Sequence, residues 1–206
     1  MAVPINYRRS NEQVIASYDY YDLGEGTGIK TLYGAKLALS GSTLYLLTPN
    51  EAVLSSTAMT TTGEGTVTMN FDLSPFNMPK IVTGTAYFSA PLANSAAGGT
   101  GSKLWVQVQK VSEGVVSNVS SEVQGANLYG NSAHSMEFIP ITVNRTHFKK
   151  GDILRLVVKL ICGVGGGTAE TTHDPAGRDG TDLTSATTAP VISTKMRLYM
   201  PFLVDL

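Results

Sequence analysis

The sequence predicts an all-β protein: an antiparallel, jelly-roll-like β-sandwich preceded by an extended N-terminal arm. Three observations carry that prediction. Apolar and polar residues alternate with period two along several segments. Glycine-rich turn signals separate those segments. No window of eleven or more residues shows the apolar stripe of an amphipathic helix.

The clearest strands come first. Val67, Met69, Phe71 and Leu73 alternate with Thr66, Thr68, Asn70 and Asp72, so one face is apolar and the other polar. Leu104, Val106 and Val108 alternate with Trp105, Gln107 and Gln109. Leu154, Leu156, Val158 and Leu160 face one way, with Arg155 and Lys159 on the other side. From Met196 to Leu206 apolar residues again occupy alternate positions. Pro201 interrupts this last run and has no N–H to donate, which predicts an edge strand or a bulge there. Weaker strand candidates are 14–22, 29–39, 43–48, 52–59, 81–89, 115–123 and 136–143. Many short strands without a βαβ rhythm pack as a sandwich or barrel.

Three segments do not read as strands: 1–12, an arm; 91–102, a small-residue loop; and 163–190, a long Gly/Thr/Asp-rich excursion. The expected organisation is therefore an arm over 1–12 and one sandwich domain over 13–206. Among the candidate core residues are Val67, Met69, Phe71, Leu154, Leu156, Val158, Leu160, Leu198 and Phe202.

Composition excludes several function classes. The 206 residues are 42% hydrophobic and 15% charged, with a formal net charge of −1. A general nucleic-acid binder rests on excess Lys and Arg, which this chain lacks. Cys162 is the single cysteine, so no intrachain disulfide and no cysteine zinc cluster can form. No stretch approaches the roughly 20 apolar residues of a membrane helix. The N-terminal residues show no apolar signal region, so synthesis in the cytoplasm is expected.

Gly163-Val164-Gly165-Gly166-Gly167-Thr168 follows an apolar strand, as many phosphate loops do. It lacks the Lys-Ser/Thr pair of a P-loop, and no helix follows to supply a dipole. It reads as a loop and not as a nucleotide site; no cofactor is expected. Asp174, Asp179 and Asp182 could surround a hard cation, but the spacing is not that of an EF-hand, and the cluster reads as a solvated turn. His134, His147 and His173 are not spaced as a metal pair. Trp105, on the polar side of its strand, is a candidate for stacking on a sugar ring or for a subunit interface. In the arm, Val3, Ile5 and Tyr7 on alternate positions, followed by Arg8 and Arg9, form a candidate interaction segment able to add to a neighbour's sheet edge.

The arm Met1–Arg9, the strand Val14–Leu23, the stretch Phe148-Lys149-Lys150-Gly151-Asp152-Ile153-Leu154-Arg155-Leu156 and the closing Met200–Leu206 together resemble small jelly-roll decoration or cement proteins of tailed bacteriophages. The resemblance implies a structural, non-enzymatic virion protein on the outside of the capsid. It implies as partners a major capsid or other virion protein and further copies of the chain, most simply as a homotrimer. It carries no catalytic residues. A carbohydrate-binding or receptor-binding sandwich module using Trp105 is the alternative. A hydrolase on such a scaffold is a third reading, and would require a cleft joining His147 or His173 to a carboxylate and a Ser or Cys.

Overall fold

The structure, a computed structural model, describes residues 28–39, 42–50, 58–94, 101–130, 133–163, 167–173, 183–185, 190–192 and 195–204. The arm, with Val3, Ile5, Tyr7, Arg8 and Arg9, the predicted strand 14–22 and the Asp-rich segment 174–182 lie outside these residues. Every regular element among the described residues is a strand: β1 Gly28–Leu39, β2 Ser42–Thr48, β3 Ala58–Thr62, β4 Gly65–Leu73, β5 Lys80–Asn94, β6 Ser102–Ser112, β7 Val115–Asn118, β8 Val123–Gln124, β9 Ala133–Phe148, β10 Ile153–Cys162, β11 Thr168–Thr172, β12 Leu183–Ser185, β13 Pro190–Ile192 and β14 Arg197–Val204. The all-β prediction holds.

Hydrogen bonds run through the order β3-β11-β5-β14-β1-β2-β4-β10-β6-β7, with β8 also on β6 and β9 also on β5; β12 and β13 form a separate hairpin. The long sheet curls so that its β14-β5-β9 part faces its β4-β10-β6 part, and the two bury a common core. Phe88, Ile141, Leu198 and Phe202 come from the first part, and Phe71, Leu104, Val106, Leu154, Leu156 and Leu160 from the second. An isolated bridge, Ser120 to Val143, ties the segment between β7 and β8 to β9 and joins the two parts on the far side. Alternation explains which residues face inward: every even-numbered residue of β10 from Leu154 to Cys162 is buried, while Arg155 and Lys159 reach outward to Asp72 and Glu122.

Four expectations need correction. The sheet is mixed, because β2 and β4 run parallel where Leu46 meets Asp72 and Leu47 meets Leu73. The chain leaves β2, forms β3 beside β11, turns at Gly63 and re-enters next to β2 in the same direction. Second, β5 extends to Asn94, into the stretch expected to be loop; Ser89–Asn94 are buried on both faces, so they show no alternation. Third, the 163–190 excursion contains β11, which pairs with β3 over five residues and touches β5 at Ala93 and Asn94. Fourth, Val67 and Met69 are only half-buried, packed on the margin of the core.

Pro201 sits where its chemistry predicts an irregularity. Strand β14 is central, between β5 and β1, and its register with β5 shifts between Tyr199 and Phe202. The neighbouring β5–β9 ladder shifts between Val82 and Gly84, where Gly84 has φ +106. A bulge absorbs a missing donor and bends the strand without ending it.

Candidate functional site

The parallel contact between β2 and β4 spans two residue pairs, after which the strands separate. The loop from Ser74 to Pro79 crosses the gap and leaves a pocket of about 340 Å³. Its walls include Leu32 of β1, Leu47 of β2, Phe76 of the loop and Phe202 of β14, all buried. Lys30 and Lys80 also line it. The Lys80 ammonium lies 6.0 Å from the ring centroids of both Phe76 and Phe202, within cation–π reach. A largely apolar hollow with a few polar groups is the usual form of a small-molecule site.

The loop that forms one wall is pinned from below. The Phe76 amide donates to the Asp152 carbonyl at 3.0 Å, and the Gly151 amide donates to the Phe76 carbonyl at 2.8 Å. Phe76 also meets Phe148 edge-on, with centroids 5.1 Å apart. The turn itself needs Gly151, whose φ is +91. Asp152 closes it: one carboxylate oxygen accepts from the Lys149 amide at 2.7 Å and faces the Lys110 ammonium at 2.7 Å. Burial alone would push this carboxyl up. Hydrogen bonds with Lys110, Ser112 and the Lys149 amide, together with the attraction of Lys110, outweigh burial and hold it down at about 2. The Lys-Gly-Asp stretch is thus a structural clamp behind the pocket.

The residues singled out in the sequence do not converge on this pocket. Trp105 is half-buried on β6, opposite Lys159 and Gln124, with the Lys103 ammonium 5.7 Å from its ring; its indole N–H is covered by protein. Cys162 is buried at the end of β10, its thiol directed at the Gly167 carbonyl at 3.7 Å. His173 is fully buried among Tyr45 and Phe71, in edge-to-face contact with both. His147 is exposed on β9, and its carbonyl accepts from Lys110; His134 is the second residue of β9. The ends of the glycine-rich loop are used internally: the Gly163 amide donates to Gly101, and the Gly167 carbonyl accepts from Gly63.

Two buried serines have structural partners. Ser102 donates to Asn94, whose amide reaches the Leu128 and Gly130 carbonyls. Ser120 accepts from the Val108 amide and donates to the Ser121 carbonyl. A second, more polar depression of about 750 Å³ lies at the other ends of β4 and β6, bordered by Glu64, Lys103, Asn127 and Tyr129. Among the described residues no group of three or more His, Cys, Asp or Glu side chains is placed to hold a metal ion.

Sequence reasoning missed Lys30, Lys80 and Phe76. The one local signal is the stretch Ser-Pro-Phe-Asn-Met-Pro-Lys, where an aromatic residue stands in a proline-framed loop. The pocket itself joins positions far apart in the chain, and no local pattern reports that.

No protein-family model matches the chain, and no curated protein matches it. Its fold does match solved structures. It is similar to a CocE/NonD family hydrolase from Staphylococcus aureus, with a TM-score of 0.54 at 11% identity over 86% of this chain and 37% of the hydrolase. It is similar to an α-amino acid ester hydrolase, with a TM-score of 0.51 at 10% identity over 84% of this chain and 36% of the other. It is similar to an aminopeptidase from a Thaumarchaeota archaeon of marine sediment, with a TM-score of 0.54 at 9% identity over 86% and 37%. The chain spans little more than a third of the length of these enzymes.

These findings correct the expectation of a non-enzymatic virion decoration protein and of its sugar- or receptor-binding alternative. The matched folds belong to hydrolases. One of the four stretches behind that resemblance has an architectural role here: Phe148 fills the core, Gly151 turns the chain, Asp152 clamps the turn and Leu154 and Leu156 re-enter the core.

Proposed function

We propose that this chain is a β-sandwich domain of a hydrolase that cleaves ester or amide bonds, contributing binding surface and architecture beside the unit that carries the nucleophile. The observation that carries this reading is the superposition of 84–86% of the chain on little more than a third of three hydrolases, one of them an α-amino acid ester hydrolase and one an aminopeptidase. Two features of the chain support it. Ser102, Ser120, Cys162 and His173 are buried and engaged within the sandwich, which fits a domain that supports the bond-breaking step from beside it. On the outer face, Phe138 of β9 is 60% exposed and stacked on Tyr87 of β5. Aromatic side chains are enriched where proteins meet, so this stacked pair is a candidate contact point.

The test is to recover the protein from its native source through an epitope tag and assay the recovered material on aminoacyl p-nitroanilides and p-nitrophenyl esters. Hydrolysis that co-purifies with the tag, and falls when Phe138→Glu is introduced, is expected. Recovered protein with no hydrolysis above an untagged control overturns the reading.

A further inference from the structure

We propose that β7 is a self-association edge: it pairs antiparallel with β7 of a second copy of this chain, about a two-fold axis at Ser117. This stands apart from the hydrolase reading and uses none of its residues.

The phase of the β6–β7 ladder fixes which backbone groups face outward. The Val119 amide donates to the Val108 carbonyl, so these two residues are opposite one another in the closely spaced, hydrogen-bonding manner. Such pairs recur at every second residue of an antiparallel ladder. Ser117 opposite Lys110 and Val115 opposite Ser112 therefore turn their amides and carbonyls toward β6. Val116 and Asn118 turn theirs the other way, off the last strand of the long hydrogen-bonded path. All four residues of β7 are exposed, Val115 at 69% and Val116 at 46%.

The edge is held ready for a partner. Glu113 and Gly114, with φ 51 and 82, form a two-residue turn of the kind that matches the twist of paired strands. At the other end of β7 the Gln109 amide donates to the Asn118 side chain at 3.2 Å. Beneath it the Lys110 ammonium is fixed by the His147 carbonyl and the Asp152 carboxylate. A strand ordered before it binds loses little affinity to ordering.

Three features select a second copy as the occupant. The first is spacing. With the axis at Ser117, Val116 stands opposite the second copy's Asn118, and Asn118 opposite its Val116. Each of these residues offers one outward amide and one outward carbonyl, and all of them are matched. The second is charge. A two-fold axis brings identical residues together, so a charged strand would repel itself; Val115-Val116-Ser117-Asn118 carries no charge and no proline. The third is apolar contact. Val116 pairs with Val111 of β6, and across the axis the two Val116 side chains lie diagonally on the same face, within reach of one another. Val111 and Val116 from both copies then form one apolar strip. A contact built on four residues per copy is small and belongs to the transient class, so the dimer should depend on concentration.

Sedimentation velocity of the intact chain across micromolar to millimolar concentrations reads the association. A reversible monomer–dimer equilibrium is expected. Val116→Pro removes an amide that faces away from β6, and Val116→Lys sets like charges across the axis; each is expected to weaken the dimer tenfold or more. Ser117→Cys reads the register directly. On the axis the two cysteines would face each other in a non-hydrogen-bonded pair, where Cα atoms are about 4.5 Å apart, within disulfide range. Ser117→Cys is expected to cross-link into dimers at least tenfold faster than Val115→Cys under mild oxidation. A chain that stays monomeric up to millimolar concentration overturns the proposal. So does a dimer that Val116→Lys leaves intact, or cross-linking of Ser117→Cys no faster than that of Val115→Cys.

Discussion

Asp152 shows how one carboxylate can govern a whole corner of the molecule. Its folded acid constant, about 2, lies below its ordinary value of 3.8. A depressed carboxyl stabilises the folded state above the unfolded value, and that contribution disappears as pH falls through the folded value. The stability due to Asp152 is therefore complete above about pH 4 and lost between about pH 4 and pH 2. Asp152→Asn should flatten the urea midpoint over that window and lower it at neutral pH; a variant whose acid profile matches the parent's would assign the acid loss to other groups. Leu156 is an ordinary core residue by comparison. It is wholly buried, pairing with Phe71 on one side and Val108 on the other, so Leu156→Ala should cost about 2–5 kcal/mol in equilibrium unfolding. Trp105 is the single tryptophan, and protein covers its indole N–H. Its fluorescence should be quenched by acrylamide well below the rate for free indole; quenching at the free rate would place the ring in solvent.

At the scale of the element, packing between strands decides what the pattern can and cannot show. Gly34 of β1 is a close approach: an added Cβ would lie 2.9 Å from the Met196 sulfur and 3.2 Å from the Phe71 ring. Gly34→Ala should destabilise by about 1–3 kcal/mol, toward the lower end because the methionine can move, and Gly34→Val by more. Strands with one wet face were legible. The alternation from Leu154 to Leu160 and from Leu104 to Val108 matches the buried face, with Val157 the one residue of the opposite face that is also buried, and Pro201 marks a real break in register. Strands wet on neither face were not. Ser89–Asn94 look like a loop because small and polar residues are buried on both sides, and Thr-Ala-Glu-Thr-Thr gives no apolar rhythm for β11. The pocket was illegible for a different reason. Lys30, Leu47, Phe76 and Phe202 meet through a two-pair parallel contact, and pairing over such separations leaves no local trace.

At the scale of the molecule, one apolar core joins both parts of the curled sheet. Scanning calorimetry should accordingly show a single cooperative transition; two resolved peaks would mean that the two parts unfold separately. Strand β14 holds the decisive place, because it lies between β1 and β5 and contributes Leu198, Met200 and Phe202 to the core. Deleting residues 197–204 should abolish the cooperative transition altogether, whereas deleting an edge strand such as β7 should only lower it. The order of synthesis then acquires a meaning. β1 leaves the ribosome long before the strand that completes it, by roughly 8–35 seconds at about 5–20 residues per second. During that interval a nascent chain displays an open strand edge on β1, joined by a second on β5 once that strand is made, and both invite pairing with other chains. Those edges need shielding until β14 pairs with both strands and closes the sheet from within.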